Sequence, residues 1–188
     1  LDKHLTFMDA EIIAIGSEML GVTRLDTNSL FLTDRLNAHG VELKQKCIVG
    51  DDRARLVSEI AAAWKRSQIV ILSGGLGPTE DDLTREAAAE ALGVGLHFDE
   101  QVCEWIAARF RSFNRTMAEI NKRQAWVLDG AEVLPNPNGT APGQWLQRDG
   151  RVLMLLPGPP REIKPMFTSQ CEPRLAALRA AHEAAALL

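Results

Sequence analysis

The feature that most constrains the fold is the apolar run Ile69-Val70-Ile71-Leu72, which is followed at once by a glycine-rich loop. Such an unbroken run is typical of a central parallel strand that is covered on both faces. Residues 11–15 and 41–49 also have strand character, and each segment is followed by a turn and a helical pattern. This repeated order of strand, turn and helix predicts a mostly parallel sheet with helices on both sides.

Turn chemistry predicts further element boundaries. The Asp51-Asp52 pair follows the second strand, where a carboxylate can accept the first free N–H groups of a helix. A capping box at residues 116–119 predicts another helix start in the middle of the chain. The Asp149-Gly150 step lies between two apolar segments, so it predicts a small β-hairpin.

Composition and charge exclude several classes of protein. The 188 residues suit one α/β domain, and 46% hydrophobic residues can build a core. The formal net charge of −4 provides no basic face for nucleic acid, and no apolar run approaches the roughly 20 residues of a membrane span. Three widely spaced cysteines favour a reducing compartment over a disulfide framework. We therefore expect a cytoplasmic protein that has no membrane or nucleic-acid partner.

The strongest chemical signal is the glycine-rich loop at residues 73–79, with the sequence SGGLGPT, between the central strand and the next helix. Glycines let the backbone bend closely around a ligand, and free N–H groups at a helix start attract anions. In an open parallel sheet, ligands bind beyond the carboxyl ends of the strands, which is where this loop lies. A tight turn without a ligand would also explain the loop.

The loop matches neither of two common phosphate-binding fingerprints. A dinucleotide-binding fingerprint needs a third glycine where Glu80 stands, and a P-loop needs the sequence Gly-Lys-Ser/Thr. The carboxylates of Glu80, Asp81 and Asp82 would repel a bare phosphate. They favour either a divalent cation that bridges carboxylate and phosphate, or a carboxylate that serves as a base.

Small residues and carboxylates also occur after the first and last predicted strands, at the first helix start and before the hairpin, which gives five motifs in order along the chain. The motifs are Gly16-Ser17-Glu18, Asp26-Thr27-Asn28, Gly74-Gly75-Leu76-Gly77-Pro78-Thr79 with Asp81-Asp82, Asn138-Gly139-Thr140-Ala141-Pro142-Gly143, and Leu156-Pro157-Gly158. Over about residues 9–167, this combination resembles the molybdopterin-binding domain of the MoaB and MogA type. More narrowly, it resembles the N-terminal domain of the CinA competence/damage-inducible family.

The resemblance implies a three-layer αβα fold, molybdopterin-binding-domain-like, to which the predicted hairpin is added. We expect this domain at residues 9–170, with an N-terminal extension at residues 1–8 and a C-terminal helical tail at residues 171–188. In CinA-type members the domain is associated with metal-dependent hydrolysis of ADP-ribose, whereas MogA-type members bind molybdopterin and adenylylate it. The second, deamidase domain of CinA proteins is not expected in this sequence.

The resemblance also implies site residues, position by position. Asp51 and Asp82 correspond to acidic residues that are implicated in catalysis, and Asp81 with Asp82 is expected to bind a divalent metal (Mg, Mn or Co). The expected phosphate- or nucleotide-binding residues are Gly16, Ser17, Glu18, Asn28, Ser73, Gly74, Gly75, Gly77, Pro78, Thr79, Asn138, Gly139, Thr140, Pro157 and Gly158.

The resulting hypothesis is a metal-dependent pyrophosphatase that acts on a nucleotide diphosphate of the ADP-ribose type. Two alternatives stay open, because one fold hosts many functions. One is a protein that binds or adenylylates molybdopterin, and the other is a nucleotide-binding module without turnover. The expected ligand is a small nucleotide or pterin phosphate, and the resemblance implies a homo-oligomer, either a dimer or a trimer.

Overall fold

The computed structural model describes residues 8–185, and within that range strands and helices alternate along most of the chain. The strands are β1 (Met8–Ile15), β2 (Val41–Val49), β3 (Ile69–Ser73), β4 (Leu96–Phe98), β5 (Trp126–Leu128), β6 (Glu132–Leu134), β7 (Gly143–Arg148) and β8 (Arg151–Leu156). The helices are α1 (Thr27–Ala38), α2 (Arg53–Arg66), α3 (Thr84–Leu92), α4 (Glu100–Ser112), α5 (Pro160–Met166) and α6 (Glu172–Ala185). No helix in this range is both long enough and apolar enough to span a membrane.

Six strands form the main sheet in the order β2-β1-β3-β8-β7-β6. Strands β2, β1, β3 and β8 are parallel to one another, and the β7 strand is antiparallel to both β8 and β6. Successive side chains point to opposite faces, so Ile12 and Ile71 pack with α1, α5 and α6, whereas Ile13 and Leu72 pack with α2 and α3. This arrangement confirms the predicted three-layer αβα fold.

The predicted hairpin is present, but it is part of the main sheet rather than an addition to it. Asp149 and Gly150 have φ angles of 52° and 72°, which suit the tight turn between β7 and β8. The β8 strand also pairs in parallel with β3, and Met154 and Leu155 on its two faces are both fully buried. The hairpin therefore supplies a central strand, as expected for a continuous apolar segment.

The middle of the chain differs from the prediction. Residues 115–118 form no helix, and the helical segment Glu119–Ala125 begins without a side-chain cap, so the predicted capping box is wrong. This segment leads into β5, which pairs with β4 in a separate two-stranded sheet. Val102 and Ile106 of α4 pack against β5 in a small core of their own, and Met117 packs at its edge. These long-range contacts outweigh the local preference for a capped helix.

The core of the domain extends beyond the predicted boundaries. Met8 belongs to β1 and pairs with Val41, although it was assigned to the extension. At the other end, a single π-helical turn at residues 167–171 joins α5 to α6, and both Phe167 and Leu175 are fully buried in the same core. The chain therefore passes residue 170 without a break in packing. Residues 1–7 and 186–188 of the predicted extension and tail lie outside the described residues.

An ion pair attaches the start of α6 to α1. The Nε and Nη2 atoms of Arg35 donate to the two carboxylate oxygens of Glu172, both at 2.7 Å, and His39 Nε2 lies 3.1 Å from Oε2. The hydrogen bond from Arg35 is the main reason that the pKa of Glu172 is lowered to about 2. Because the carboxylate is mostly buried, this pair is more favourable than an exposed one.

We predict that Glu172→Gln lowers the free energy of unfolding by about 1–3 kcal/mol at about pH 7, because it removes a charge-assisted bidentate contact. The folded-state pKa is below the unfolded value, so the stabilisation is fully present above about pH 4.5 and is lost as the pH falls towards 2. Urea denaturation across this pH range measures both effects. The control is Glu183→Gln, which removes the exposed pair with Arg179 on the same helix and should cost about 0.5 kcal/mol or less. Equal losses in the two variants would contradict the prediction.

Candidate functional site

A cleft of about 580 Å³ opens where β1, β3 and β8 end, in the size range of small-molecule sites. Its floor is formed by Ile15, Ser73 and the segment after Leu156. Parallel strands bring these carboxyl ends to one edge of the sheet, so the cleft lies at the edge where the sequence predicts a ligand site. The remaining lining comes from the start of α1, the glycine-rich loop, Gln124, and the residues around Thr140 and Pro160.

Gly74 attaches the glycine-rich loop to β8 on one side and to the start of α3 on the other. The Gly74 N–H donates to the Leu156 carbonyl at 2.9 Å, and the Thr84 hydroxyl donates to the Gly74 carbonyl at 2.8 Å. Gly74 has a φ of 107°, and a Cβ atom there would collide with the Ile15 carbonyl oxygen. Only glycine fits this position without strain, which explains the residue at the start of the loop.

Arg85 lies beneath the loop with 1% of its surface exposed. Its Nη1 and Nη2 atoms donate to the carbonyl oxygens of Leu76 and Gly77 at 2.8 and 2.9 Å. Burial lowers the pKa of this guanidinium, and no carboxylate of the described residues lies within 4.0 Å to pair with it. A second arginine, Arg123, donates to the Thr79 carbonyl at 2.5 Å and to Glu86.

These contacts organise the polar groups of the loop. Its carbonyl oxygens are occupied by Arg85, Arg123 and Thr84. In contrast, the N–H groups of residues 75–77 have no acceptor among residues 8–185. Free N–H groups in succession, with a buried cation behind them, are a suitable site for an anion such as phosphate.

Asp82 lines the cleft beside this loop. Its Oδ2 atom accepts hydrogen bonds from the N–H and the hydroxyl of Thr79, at 2.9 and 2.5 Å. It therefore closes the turn at residues 79–82 rather than capping α3, which begins at Thr84. A Cβ atom on Gly77 would lie 2.5 Å from the same carboxylate, so glycine is needed there for a close approach.

Asp51 lies outside the cleft lining, unlike Asp82. Its Oδ2 atom accepts from the Ser17 N–H at 3.0 Å, and its own N–H donates to the Ser17 hydroxyl at 2.9 Å. This pair joins the ends of β1 and β2, while the neighbouring Asp52 caps α2. Asp51 is not part of the cleft lining, so it can act on the site only through Ser17 and the adjacent Glu18.

Most of the predicted binding residues lie in the cleft. Those that line it are Glu18, Asn28, Ser73, Gly74, Gly75, Gly77, Pro78, Asp82, Thr140, Pro157 and Gly158. Those that do not are Gly16, Ser17, Asp51, Thr79, Asp81, Asn138 and Gly139. Gly16, Ser17, Thr79 and Gly139 lie beside lining residues in the chain, and Asn138 lines a second pocket.

The predicted metal ligands do not form a preassembled site. Asp81 is exposed, and only Asp82 of the pair lines the cleft. Across residues 8–185, no three side chains of His, Cys, Asp or Glu come together in a cluster that could hold a metal. A cation at this cleft would therefore take many of its ligands from substrate oxygens and water, as Mg²⁺ commonly does.

Two amide side chains of the cleft wall have unsatisfied oxygens. Asn28 is 8% exposed, and its Nδ2 atom donates to the Gly158 carbonyl at 2.6 Å, which fixes the orientation of the amide. Its Oδ1 atom is then buried without a partner, and so is Gln124 Oε1. A buried acceptor without a donor is costly, so both positions favour a ligand that carries N–H or O–H groups.

Sequence reasoning missed Arg85, Arg123 and Gln124. Arg85 did leave a signal, because Ala88 and Ala89 follow it at helical spacing, so it shares a face of α3 with small apolar residues. An arginine on the buried face of a helix needs a polar partner. The other two residues left no local signal: Arg123 contacts Thr79, 44 residues away in the chain, and Gln124 lines the cleft from the same distant segment.

We predict that Arg85→Met lowers the free energy of unfolding by about 1–3 kcal/mol, because two loop carbonyls lose their buried donors. Amide hydrogen exchange at Gly74 and Thr84, whose N–H groups are bonded to the Leu156 and Gly75 carbonyls, should become faster, since the loop loses its support. The control is Arg53→Met, which removes an exposed arginine paired with Glu90 and should change neither quantity measurably. Unchanged exchange in the Arg85 variant would contradict the proposed support.

Comparison of the sequence with known proteins identifies the family of this chain. Residues 11–177 match the family model described as a probable molybdopterin binding domain. A CinA-like protein of Solibacter usitatus is 60% identical over 169 residues, which are 90% of this chain and 41% of that protein. The chain therefore spans about two fifths of the length of that curated relative.

Solved structures give the same result. The protein CinA of Thermoplasma acidophilum matches with a TM-score of 0.82 and 29% identity, over 90% of this chain and 98% of that one. The tungsten cofactor synthesizing protein MoaB of Pyrococcus furiosus shares the fold, with a TM-score of 0.55 and 17% identity over 93% and 98% of the two chains. These findings confirm the resemblance inferred from the five motifs. The chain belongs to the family of molybdopterin-binding domains, and the relatives that it matches with high identity are CinA-like proteins.

Proposed function

We propose that the cleft hydrolyses the diphosphate bond of a nucleotide diphosphate of the ADP-ribose type, with Mg, Mn or Co as the divalent cofactor. The observation that supports this activity best is the combination of free N–H groups at residues 75–77 with the carboxylate of Asp82 in one cleft. The loop provides donors for phosphate oxygens, and the carboxylate provides a proton acceptor beside them. The proposal includes a cytoplasmic location and a homo-oligomer, either dimer or trimer.

The carboxylates of the cleft fit a cation that is shared with the substrate. Asp26 has both oxygens occupied by Ser29, and Glu162 accepts from Asn136, so these two are poorly available. Glu18 would hold the cation, together with diphosphate oxygens and water, because Thr79 occupies Asp82 Oδ2 and leaves only Oδ1 to act as a base. Such a cation neutralises diphosphate charge beside the acidic side chains of the cleft.

The proposed reaction places Asp82 as the general base. Its Oδ2 atom is held by Thr79, which orients the carboxylate, and Oδ1 takes a proton from water. The water oxygen then bonds to one phosphorus, and the bridging P–O bond breaks with its electron pair remaining on the departing phosphate. For ADP-ribose, the products are AMP and ribose 5-phosphate. Asp51 is a positioning residue in this scheme, because it contacts Ser17 and not the cleft.

A second candidate is the binding or adenylylation of molybdopterin. The family description and the named function of the Pyrococcus furiosus MoaB favour this alternative. The acceptor atoms of Asn28 and Gln124 suit N–H donors on a pterin as well as on an adenine. A module that binds without turnover would use the same cleft.

We predict metal-dependent hydrolysis of ADP-ribose by the wild-type protein, lost on chelation, and a fall of about 10²–10⁴ in rate for Asp82→Asn. Asp51→Asn should reduce the rate less, because this carboxylate acts through Ser17. The control is Asp52→Asn, since asparagine caps a helix about as well as aspartate and Asp52 lies outside the cleft. AMP release measured by chromatography, with melting temperatures for each variant, provides the comparison.

Three outcomes separate the candidates. Full activity in Asp82→Asn would contradict the assignment of the base. An inactive wild type that binds a pterin phosphate would support the molybdopterin alternative. An inactive wild type that binds ADP-ribose without turnover would support a binding module.

We also predict that Asn28→Ala weakens the binding of ADP-ribose by about tenfold or more, because the ligand loses a buried acceptor. Binding of inorganic pyrophosphate should change little, since pyrophosphate has no nucleoside part that could contact Asn28. The control is Asn37→Ala, an exposed position on the same helix. Calorimetric titration of both ligands tests this, and an equal effect on the two ligands would contradict a role in recognising the nucleoside part.

A further inference from the structure

A second pocket, of about 760 Å³, lies outside the cleft and is strongly basic. It is lined by Arg109, Phe113, Arg115, Asn138 and Arg161, and no acidic residue contributes to it. We call this the arginine pocket. The three arginines come from α4, from the segment after α4, and from the start of α5, so the tertiary fold and not one local motif brings them together.

The arginines of this pocket have no carboxylate partner. None of the three lies within 4.0 Å of an acidic side chain of residues 8–185, whereas the nearby Arg111 pairs with Glu104 at 2.6 Å. Arg109 is half-buried, and its Nε atom is fully buried without an acceptor. A buried guanidinium N–H without an acceptor is unfavourable, so this position favours a ligand that carries an acceptor oxygen.

Aromatic packing holds one of these cations in place. The guanidinium carbon of Arg109 lies 4.8 Å from the centroid of the Phe113 ring. A guanidinium stacked on an aromatic face is ordered while its edge N–H groups stay available. This order reduces the entropy that anion binding would otherwise cost.

The arginine pocket is lined by residues that are close in the chain to residues of the cleft. Asn138 Nδ2 donates to the Arg161 carbonyl at 3.0 Å, which joins the two segments that contribute to both. Thr140 lies two residues after Asn138, and Pro160 precedes Arg161, and both line the cleft. A group bound in the pocket would therefore lie near the cleft.

We propose that the arginine pocket is a second anion-binding site, which takes a phosphate group. Guanidinium groups bind phosphate through paired N–H donors, and three of them together suit a doubly charged phosphate. The group comes either from free phosphate or from a further phosphate on a ligand of the cleft. A small anion fits better than a nucleic acid for two reasons. The chain has a net charge of −4, and the pocket is formed by only five residues, whereas a nucleic acid needs a larger basic surface. This site does not depend on the proposed hydrolysis.

The test uses inorganic pyrophosphate as the probe on the whole chain. NMR of the arginine Nε–H resonances during titration reports on individual side chains, so binding here is separated from binding at the glycine-rich loop. We expect the resonances of Arg109 and Arg161 to shift. Arg161→Gln changes an exposed residue and should fold normally. In this variant, the affinity for pyrophosphate, measured from the Arg109 resonance, should fall about ten- to a hundredfold. Arg111→Gln on α4 is the matched control and should leave it unchanged.

Further titrations identify the source of the phosphate. If pyrophosphate still shifts Arg109 when ADP-ribose saturates the cleft, the pocket accepts a free anion. If the shift appears only with a ligand that carries an additional phosphate, such as NADP in place of NAD, the pocket extends the cleft. Equal affinity in Arg161→Gln and Arg111→Gln would overturn the proposal. Tighter binding of a short single-stranded RNA, lost in Arg161→Gln, would also overturn it, because the partner would then be a nucleic acid.

Discussion

The contact between Arg85 and the glycine-rich loop is the interaction on which the candidate site depends. Two carbonyl oxygens of the loop accept hydrogen bonds from a guanidinium that is almost completely buried. Isolating a charge from water is expensive, so this arginine is retained only because oriented carbonyl dipoles surround it. As the carbonyls turn towards the arginine, the N–H groups of residues 75–77 are left for another partner. One buried cation therefore supports the loop and increases the attraction for an anion.

The sheet explains why this loop meets the other parts of the site. The order β2-β1-β3-β8 places the ends of β1, β3 and β8 side by side, and Gly74 is hydrogen-bonded to Leu156 at the end of β8. The β8 strand reaches this central position only because its hairpin belongs to the main sheet. The cleft residue Asn28 belongs to α1, and the ion pair between Arg35 and Glu172 holds α6 against this helix.

Charge is distributed unevenly around the cleft. Carboxylates such as Asp82 line it together with Arg24, which lies 4.0 Å from Glu18, and the loop offers uncharged N–H groups to an anion. Three arginines without a carboxylate partner among residues 8–185 lie in the arginine pocket. A phosphorylated ligand would thus meet acidic groups that favour a shared cation on one side, and fixed positive charge on the other.

The sequence alone determined the secondary structure of the first half of the chain and of the hairpin, because the signals for these elements are local. Hydrophobic periodicity located β1, β2, β3 and α2, and turn residues located the hairpin at Asp149-Gly150. The order of the five motifs also identified the family, and with it the edge of the sheet where the cleft lies. Each of these features depends on residues that are close in the chain, so it can be inferred without knowing the packing.

Only the tertiary structure decided which residues meet. It separated Asp82, in the cleft, from Asp51, which binds Ser17, although the two carboxylates had been predicted to share one role. It put β8 in the middle of the sheet and brought Arg123 to the loop from 44 residues away. It also moved Asn138 from the expected cleft to the arginine pocket. These outcomes depend on long-range packing and on the burial of polar groups that must find partners, and no local pattern encodes either one.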